Sequence, residues 1–176
     1  RSIFNLLGPL TNPAGVNRFV IGVFSDELCL PIAEVLKQLG AVHVMVVHSR
    51  DGLDEISLAA PPTVAELKDG ELTEWTITPD EVGIPSQTLT GLVVNSSQES
   101  LQLIKDALGR NKSEIGEKAA NMIALNAGAG IYVAGMTKTY KQAVALAQDI
   151  LYGGQALEKM SILGEFTKTL KQYQAD

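Results

Sequence analysis

The spacing of apolar residues changes period along this chain, and each change predicts a different element. Residues 19–24 (Phe19, Val20, Ile21, Gly22, Val23, Phe24) form a short unbroken apolar run, the pattern of a strand buried on both faces. Ser25-Asp26 is a helix-start signal. Leu28, Ile32, Val35, Leu36 and Leu39 follow at helical spacing, and Gly40 closes the element. Pro31 fits poorly inside a helix, so the first turn is expected to be loose, or the regular helix to begin near it. A second apolar run at 43–48 then predicts another strand. Strand, helix, strand in this order is a βαβ crossover, which builds parallel sheet.

The middle of the chain alternates instead. Residues 63–67 and 71–77 are β-prone and flank Lys68-Asp69-Gly70, a hairpin signal. Prolines 61, 62, 79 and 85 punctuate the loops around it. Helical spacing returns afterwards. Ser96 and Glu99 make a candidate capping box before Leu101, Ile104 and Leu108, with Gly109 as the stop. From Ser113 to about Val133 the residues are small and apolar, and Asn126, Gly128 and Gly130 lie among them. Glycines weaken a helix, so close packing is the expected reason for the pair. Tyr140, Ala143, Val144, Ala147, Ile150 and Leu151 mark a further amphipathic helix closed by Gly153-Gly154. Leu157, Met160, Leu163, Phe166 and Leu170 mark the last. The expected fold is therefore α/β: a mostly parallel central sheet with an antiparallel edge hairpin, helices on both faces and a helical C-terminal half. Residues 1–176 read as one domain.

Composition narrows the class. Hydrophobic residues make up 45% and charged residues 19% of the 176, which suits a folded core and is too apolar for disorder. No apolar stretch reaches the roughly 18 residues a spanning helix needs, so no membrane role is expected. Cys29 is the single cysteine, which excludes an internal disulfide. With no leader pattern at the start, a cytoplasmic location is the expectation. The net charge of −6 argues against nucleic acid as a partner, because such proteins usually present a basic face. The chain opens on Arg1-Ser2-Ile3-Phe4 and runs directly into dense apolar sequence, as a piece of a longer protein would.

Two segments carry candidate chemistry. Residues 4–13 (FNLLGPLTNP) thread two prolines, a glycine and two asparagines through leucines. Such a stretch is a semi-rigid loop. It either wraps the core or offers Pro9, with Gly8 and Leu7, as a wall for a flat aromatic ligand. Residues 51–57 (DGLDEIS) follow the second strand directly, where ligands bind in open parallel sheets. Asp54 and Glu55 are adjacent carboxylates there. They are either a solvated acidic loop or part of a Mg2+ site, since Mg2+ takes one or two carboxylates and fills its other positions with water and phosphate oxygens.

FNLLGPLTNP followed by DGLDEIS, together with GVFSDEL, VVHS, VNSSQES and LNAGAGIYVAG, resembles the anthranilate phosphoribosyltransferases, whose fold is shared with pyrimidine nucleoside phosphorylases. The resemblance spans essentially the whole chain and matches the C-terminal α/β part of that family. It implies transfer of the phosphoribosyl group from phosphoribosyl pyrophosphate to anthranilate, with release of pyrophosphate, in tryptophan biosynthesis. It assigns Asp54 and Glu55 to the family's Mg2+-binding pair. It assigns Pro9, with Gly8 and Leu7, to the wall against anthranilate. The family's glycine-rich GTGGD loop and KHGNR segment, from its first half, do not occur in this chain. Their absence implies that the chain alone has little or no activity, and that the family's homodimer contacts lie in an N-terminal domain outside it.

Two other classes stay open on the residues. A nucleoside phosphorylase of the shared fold is disfavoured by LGPLTNP, and a non-catalytic nucleic-acid-binding relative by the acidic charge and the retained carboxylates. His48, at a strand end, is expected to be satisfied structurally. Cys29 is expected to act as a small buried hydrophobe, and Trp75 to serve packing.

Overall fold

The computed structural model describes Gly8 and residues 10–173, with side chains through Lys171. Strand β1 (Arg18–Gly22) leads through a 3-10 turn (Asp26–Leu28) into helix α1 (Cys29–Gln38) and then strand β2 (His43–Ser49). Pro31 falls at the third position of α1, in the first turn, where its missing N–H costs little. Gly40 ends the element with a φ of 86°, the left-handed geometry that lets the chain turn back.

Strands β3 (Pro62–Lys68) and β4 (Glu71–Trp75) form the expected hairpin. Asp69 and Gly70 sit at its tip with φ of 52° and 81°, positive at both central positions as a tight hairpin turn requires. The sheet runs β1-β2-β3-β4. Its β1–β2 pairing is parallel, while β2–β3 and β3–β4 are antiparallel. The α/β class and the edge hairpin hold, but the expectation of a mostly parallel sheet is corrected to a mixed one. The reason lies in the connection from β2 to β3. It contains no helix, and a strand entered without a crossover element returns antiparallel beside its predecessor.

A 3-10 turn (Pro79–Val82) and four α-helices follow among the described residues: α2 (Ser97–Leu108), α3 (Glu114–Val133), α4 (Tyr140–Tyr152) and α5 (Gln155–Tyr173). Side chains of β2 point alternately to two cores. Val44 and Val46 join Ile32, Ala33 and Leu36 of α1 on one face. Met45 and Val47 join Ala124, Leu125 and Ala129 of α3, and Val144 of α4, on the other. Helices therefore cover both faces, which explains why β2 reads as a continuous apolar run.

Ser96 caps α2 by accepting the Glu99 N–H at 3.1 Å, but the Glu99 carboxylate accepts from Asn95 N–H instead of completing the box at Ser96. Close packing explains one glycine of the expected pair. A Cβ on Gly128 would lie 2.8 Å from a Val144 methyl, whereas one on Gly130 meets nothing. The last helix also departs from expectation. Leu157 and Met160 pack on the core, but Ile162, Leu163, Phe166 and Leu170 are exposed.

A buried carboxylate breaks the apolar pattern of the hairpin. Glu66 of β3 accepts the Trp75 ring N–H at 2.8 Å through one oxygen and lies 2.9 Å from His43 Nε2 through the other. Both carboxylate oxygens are engaged, as burial of such a group demands. Trp75 therefore packs, as expected, and also holds Glu66.

Candidate metal and substrate site

The acidic loop sits at the carboxyl ends of the parallel pair. At the end of β1, the Val23 N–H donates to Val47 O at 2.9 Å, and His48 Nδ1 lies 2.8 Å from Val23 O. That contact satisfies His48 structurally, as its position predicted. The loop then folds back across the strand end. Gly22 is the reason it can: a Cβ there would stand 1.7 Å from the Asp54 carbonyl oxygen and 2.7 Å from the carbonyl carbon. Only a residue without a side chain admits the loop backbone at that distance.

Ser49, the last residue of β2, organises the turn. Its N–H donates to Leu53 O at 2.9 Å and its hydroxyl donates to Glu55 O at 2.6 Å. Ser57 donates its hydroxyl to Asp51 at 2.6 Å, so the first carboxylate of the loop is used internally. Gly52 takes a φ of 92° to make the bend. Asn126, in the middle of α3, reaches the same loop and bonds both backbone groups of Ile56. Ile56 itself is buried in the core.

Asp54 and Glu55 remain exposed. Among the described residues, neither carboxylate has a hydrogen-bond or salt-bridge partner, while the backbone beneath both is fixed. No group of three or more His, Cys, Asp or Glu side chains among the described residues could hold a metal. The donor set does not fit an all-protein cage. It fits a hard cation bound through two carboxylates and completed by water and phosphate oxygens, which is how Mg2+ is ordinarily held.

Of the other expected site residues, Leu7 and Pro9 lie outside the described residues. Gly8 is exposed, with open space around its α-carbon. Cys29 is fully buried, and burial above all, reinforced by Asp26 and Glu74, pushes its thiol up to about 11. It has the inert character expected of a core cysteine. No helix among the described residues is long and apolar enough to cross a membrane.

Reading the sequence assigned no role to Gly22, Ser49 or Asn126. Two signals were present. A glycine within an apolar strand run marks close backbone approach, and an asparagine among small apolar residues marks a polar group with a buried partner.

A family model described as the glycosyl transferase family, a/b domain, matches residues 1–157. The chain belongs to this family. The anthranilate phosphoribosyltransferase of Acinetobacter baumannii strain ATCC 17978 is 83% identical over all 176 residues, which cover 50% of that protein. That of Pseudomonas syringae pv. tomato is 60% identical over 172 residues, 98% of this chain and 49% of that protein. The chain thus spans about half the length of the curated relatives it matches. Among solved structures, the anthranilate phosphoribosyltransferase of Thermus thermophilus superposes with a TM-score of 0.78 at 41% identity. The match covers 89% of this chain and 45% of that one. The Saccharomyces cerevisiae enzyme in complex with PRPP and Mg has a TM-score of 0.77 at 23% identity over 92% of this chain and 46% of that one, a likeness of fold.

Proposed function

We propose that this chain is the metal-holding α/β part of an anthranilate phosphoribosyltransferase. The whole protein would transfer the phosphoribosyl group from phosphoribosyl pyrophosphate to anthranilate, releasing pyrophosphate. The observation that carries this reading is the pair Asp54 and Glu55: exposed, unpartnered among the described residues, and set on a fixed backbone at the carboxyl ends of β1 and β2. The 83% identity to an enzyme of that name supports it, as does the yeast protein of the same fold, solved with PRPP and Mg.

Asp54 and Glu55 would hold Mg2+. Bound there, the ion would offset the negative charge that gathers on the departing pyrophosphate. Everything else asked of these residues is placement. The fold carries the two carboxylates on a loop whose main chain is already ordered, so little conformational entropy is lost when substrate arrives. Leu7, Gly8 and Pro9 would form one wall of the anthranilate site, as the family resemblance implies. Anthranilate's amine is itself a nucleophile, so no strong base is required of this chain, and orientation supplies much of the rate.

The net charge of −6 suits a domain that supplies the metal and not the phosphate cradle. The rest of the longer protein would provide that cradle, and homodimer contacts with it. Tryptophan biosynthesis, a cytoplasmic setting, and partners limited to small molecules with no nucleic acid complete the reading.

Loss of anthranilate fluorescence, in the presence of phosphoribosyl pyrophosphate and Mg2+, tests it. Activity is expected from the full-length protein and little or none from this chain alone. Asp54→Asn with Glu55→Gln in the full-length protein should raise the Mg2+ requirement far more than the KM for anthranilate. An unchanged Mg2+ requirement would remove the role of the pair. Phosphorolysis of a nucleoside in place of transfer would move the protein to the phosphorylase side of the fold.

A further inference from the structure

Two side chains hold the peptide units on either side of Ile56, one from each flank. In the Glu55–Ile56 peptide, the carbonyl of Glu55 accepts from the Ser49 hydroxyl at 2.6 Å, and the N–H of Ile56 donates to Asn126 Oδ1 at 2.9 Å. In the Ile56–Ser57 peptide the partners exchange. The carbonyl of Ile56 accepts from Asn126 Nδ2 at 3.0 Å, and the N–H of Ser57 donates to the Ser49 hydroxyl at 3.0 Å. All four polar groups of the two peptide planes are thereby paired. Asn126 Nδ2 also donates to Met122 O, one turn back in α3, at 3.1 Å. Rotating the carboxamide would set its NH2 against the Ile56 N–H, so these bonds define its orientation.

A staple joining helix to loop needs one such bond. Two bonds to a single residue, mirrored by a serine on the opposite flank, hold the plane of the backbone. The plane they hold begins at Glu55. We infer that Asn126 is a positioning residue for the acidic pair: it fixes the Glu55–Ile56 peptide and thereby the direction in which the Glu55 carboxylate leaves the main chain toward a divalent cation. The inference rests on the metal reading of Asp54 and Glu55 above. It adds that α3, which supplies no carboxylate to that pair, sets its affinity.

The test is a titration of the 15N-labelled chain with MgCl2 as the only probe, following the amide signals of residues 51–57. The same titration is run on Asn126→Ala and Tyr140→Phe. Tyr140→Phe is the control: it removes a hydrogen bond of 3.0 Å to Leu125 O, on the same helix one residue away, without touching the loop. The wild-type loop signals should shift saturably, Asn126→Ala should weaken Mg2+ binding about tenfold, the scale of losing an outer partner of a metal ligand, and Tyr140→Phe should match wild type. Should Asn126→Ala fail to fold, Asn126→Ser, too short to reach Ile56, carries the same expectation. A wild-type response with unchanged affinity in the folded Asn126 variant overturns the inference and leaves the metal reading standing. Equal weakening in Tyr140→Phe also overturns it, because general loosening of α3 would then be the cause. A wild-type loop that does not respond to Mg2+ removes the metal reading, and this inference with it.

Discussion

Gly22→Ala is the smallest change that should disturb the acidic loop from beneath. The added methyl would stand 1.7 Å from Asp54 O and 3.2 Å from Asp54 Cβ. Carbon and oxygen need more than about 3 Å, so strand and loop must part by more than about 1 Å. The two nearest atoms, the carbonyl oxygen and carbon of Asp54, belong to backbone, so no rotamer change relieves the clash. Forcing extra volume into a packed contact costs about 1–3 kcal/mol. A displaced loop would also strain the Ser49 N–H bond to Leu53 O and the Ser49 hydroxyl bond to Glu55 O, each with a net contribution of about 1 kcal/mol. A total near 3 kcal/mol is expected. For a chain of this size that lowers Tm by about 6–12 °C. Urea unfolding followed by the fluorescence of Trp75, the single tryptophan, measures the stability, and amide shifts of residues 51–57 locate the disturbance. The reasoning would be refuted by a variant within about 0.5 kcal/mol of wild type whose loop signals do not move, because the close approach would then be absent.

Gly128 and Gly130 of α3 should respond in opposite directions. Gly128→Ala meets Val144 at 2.8 Å and should destabilise by about 1–3 kcal/mol, while Gly130→Ala enters open space and should stabilise by about 0.5–1 kcal/mol, both read from urea midpoints. Cys29 gives a pH prediction. Its folded-state pKa is raised from 9.0 to about 11 by burial, so its contribution is fully present below pH 9 and is lost as pH rises toward 11. Cys29→Ala should flatten that part of the pH–stability curve, and a thiol reagent at pH 8 should label native Cys29 only as fast as the chain opens. Rapid labelling of folded protein would contradict the burial.

Strands, helices and the hairpin were legible because each leaves a periodic or local chemical signal. The run at 43–48 read as a strand because it is unbroken and apolar, and it is so because Val44 and Val46 face one core while Met45 and Val47 face the other. Asp69-Gly70 read as a turn because both positions need positive φ. The balance of the sheet was not legible. Nothing in the residues of 50–61 states whether the chain crosses over the sheet or returns beside it, and the direction of β3 depends on that choice alone. The exposed half of α5 was hidden for a related reason: amphipathic spacing shows that a helix has an apolar face and says nothing of what lies against it.

The candidate site divides along the same line. Asp54 and Glu55 were visible as adjacent carboxylates after a strand, since the groups that would meet a cation must be carboxylates and must be near one another. What orders them comes from three places distant in sequence: Gly22 at the end of β1, Ser49 at the end of β2 and Asn126 in the middle of α3. Each acts on main-chain atoms, whose chemistry is the same at every residue, so no pairing of side-chain types announces the contact. A carboxylate pair on an unsupported loop would have to be ordered by its ligand, and that ordering would subtract from the affinity. Here the backbone beneath both residues is already held, and the side chains alone remain free. A weak two-carboxylate donor set can then hold a cation whose other positions are filled by substrate oxygens. Mg2+ alone would still bind there measurably, and its affinity would rise when the phosphorylated substrate supplies those oxygens.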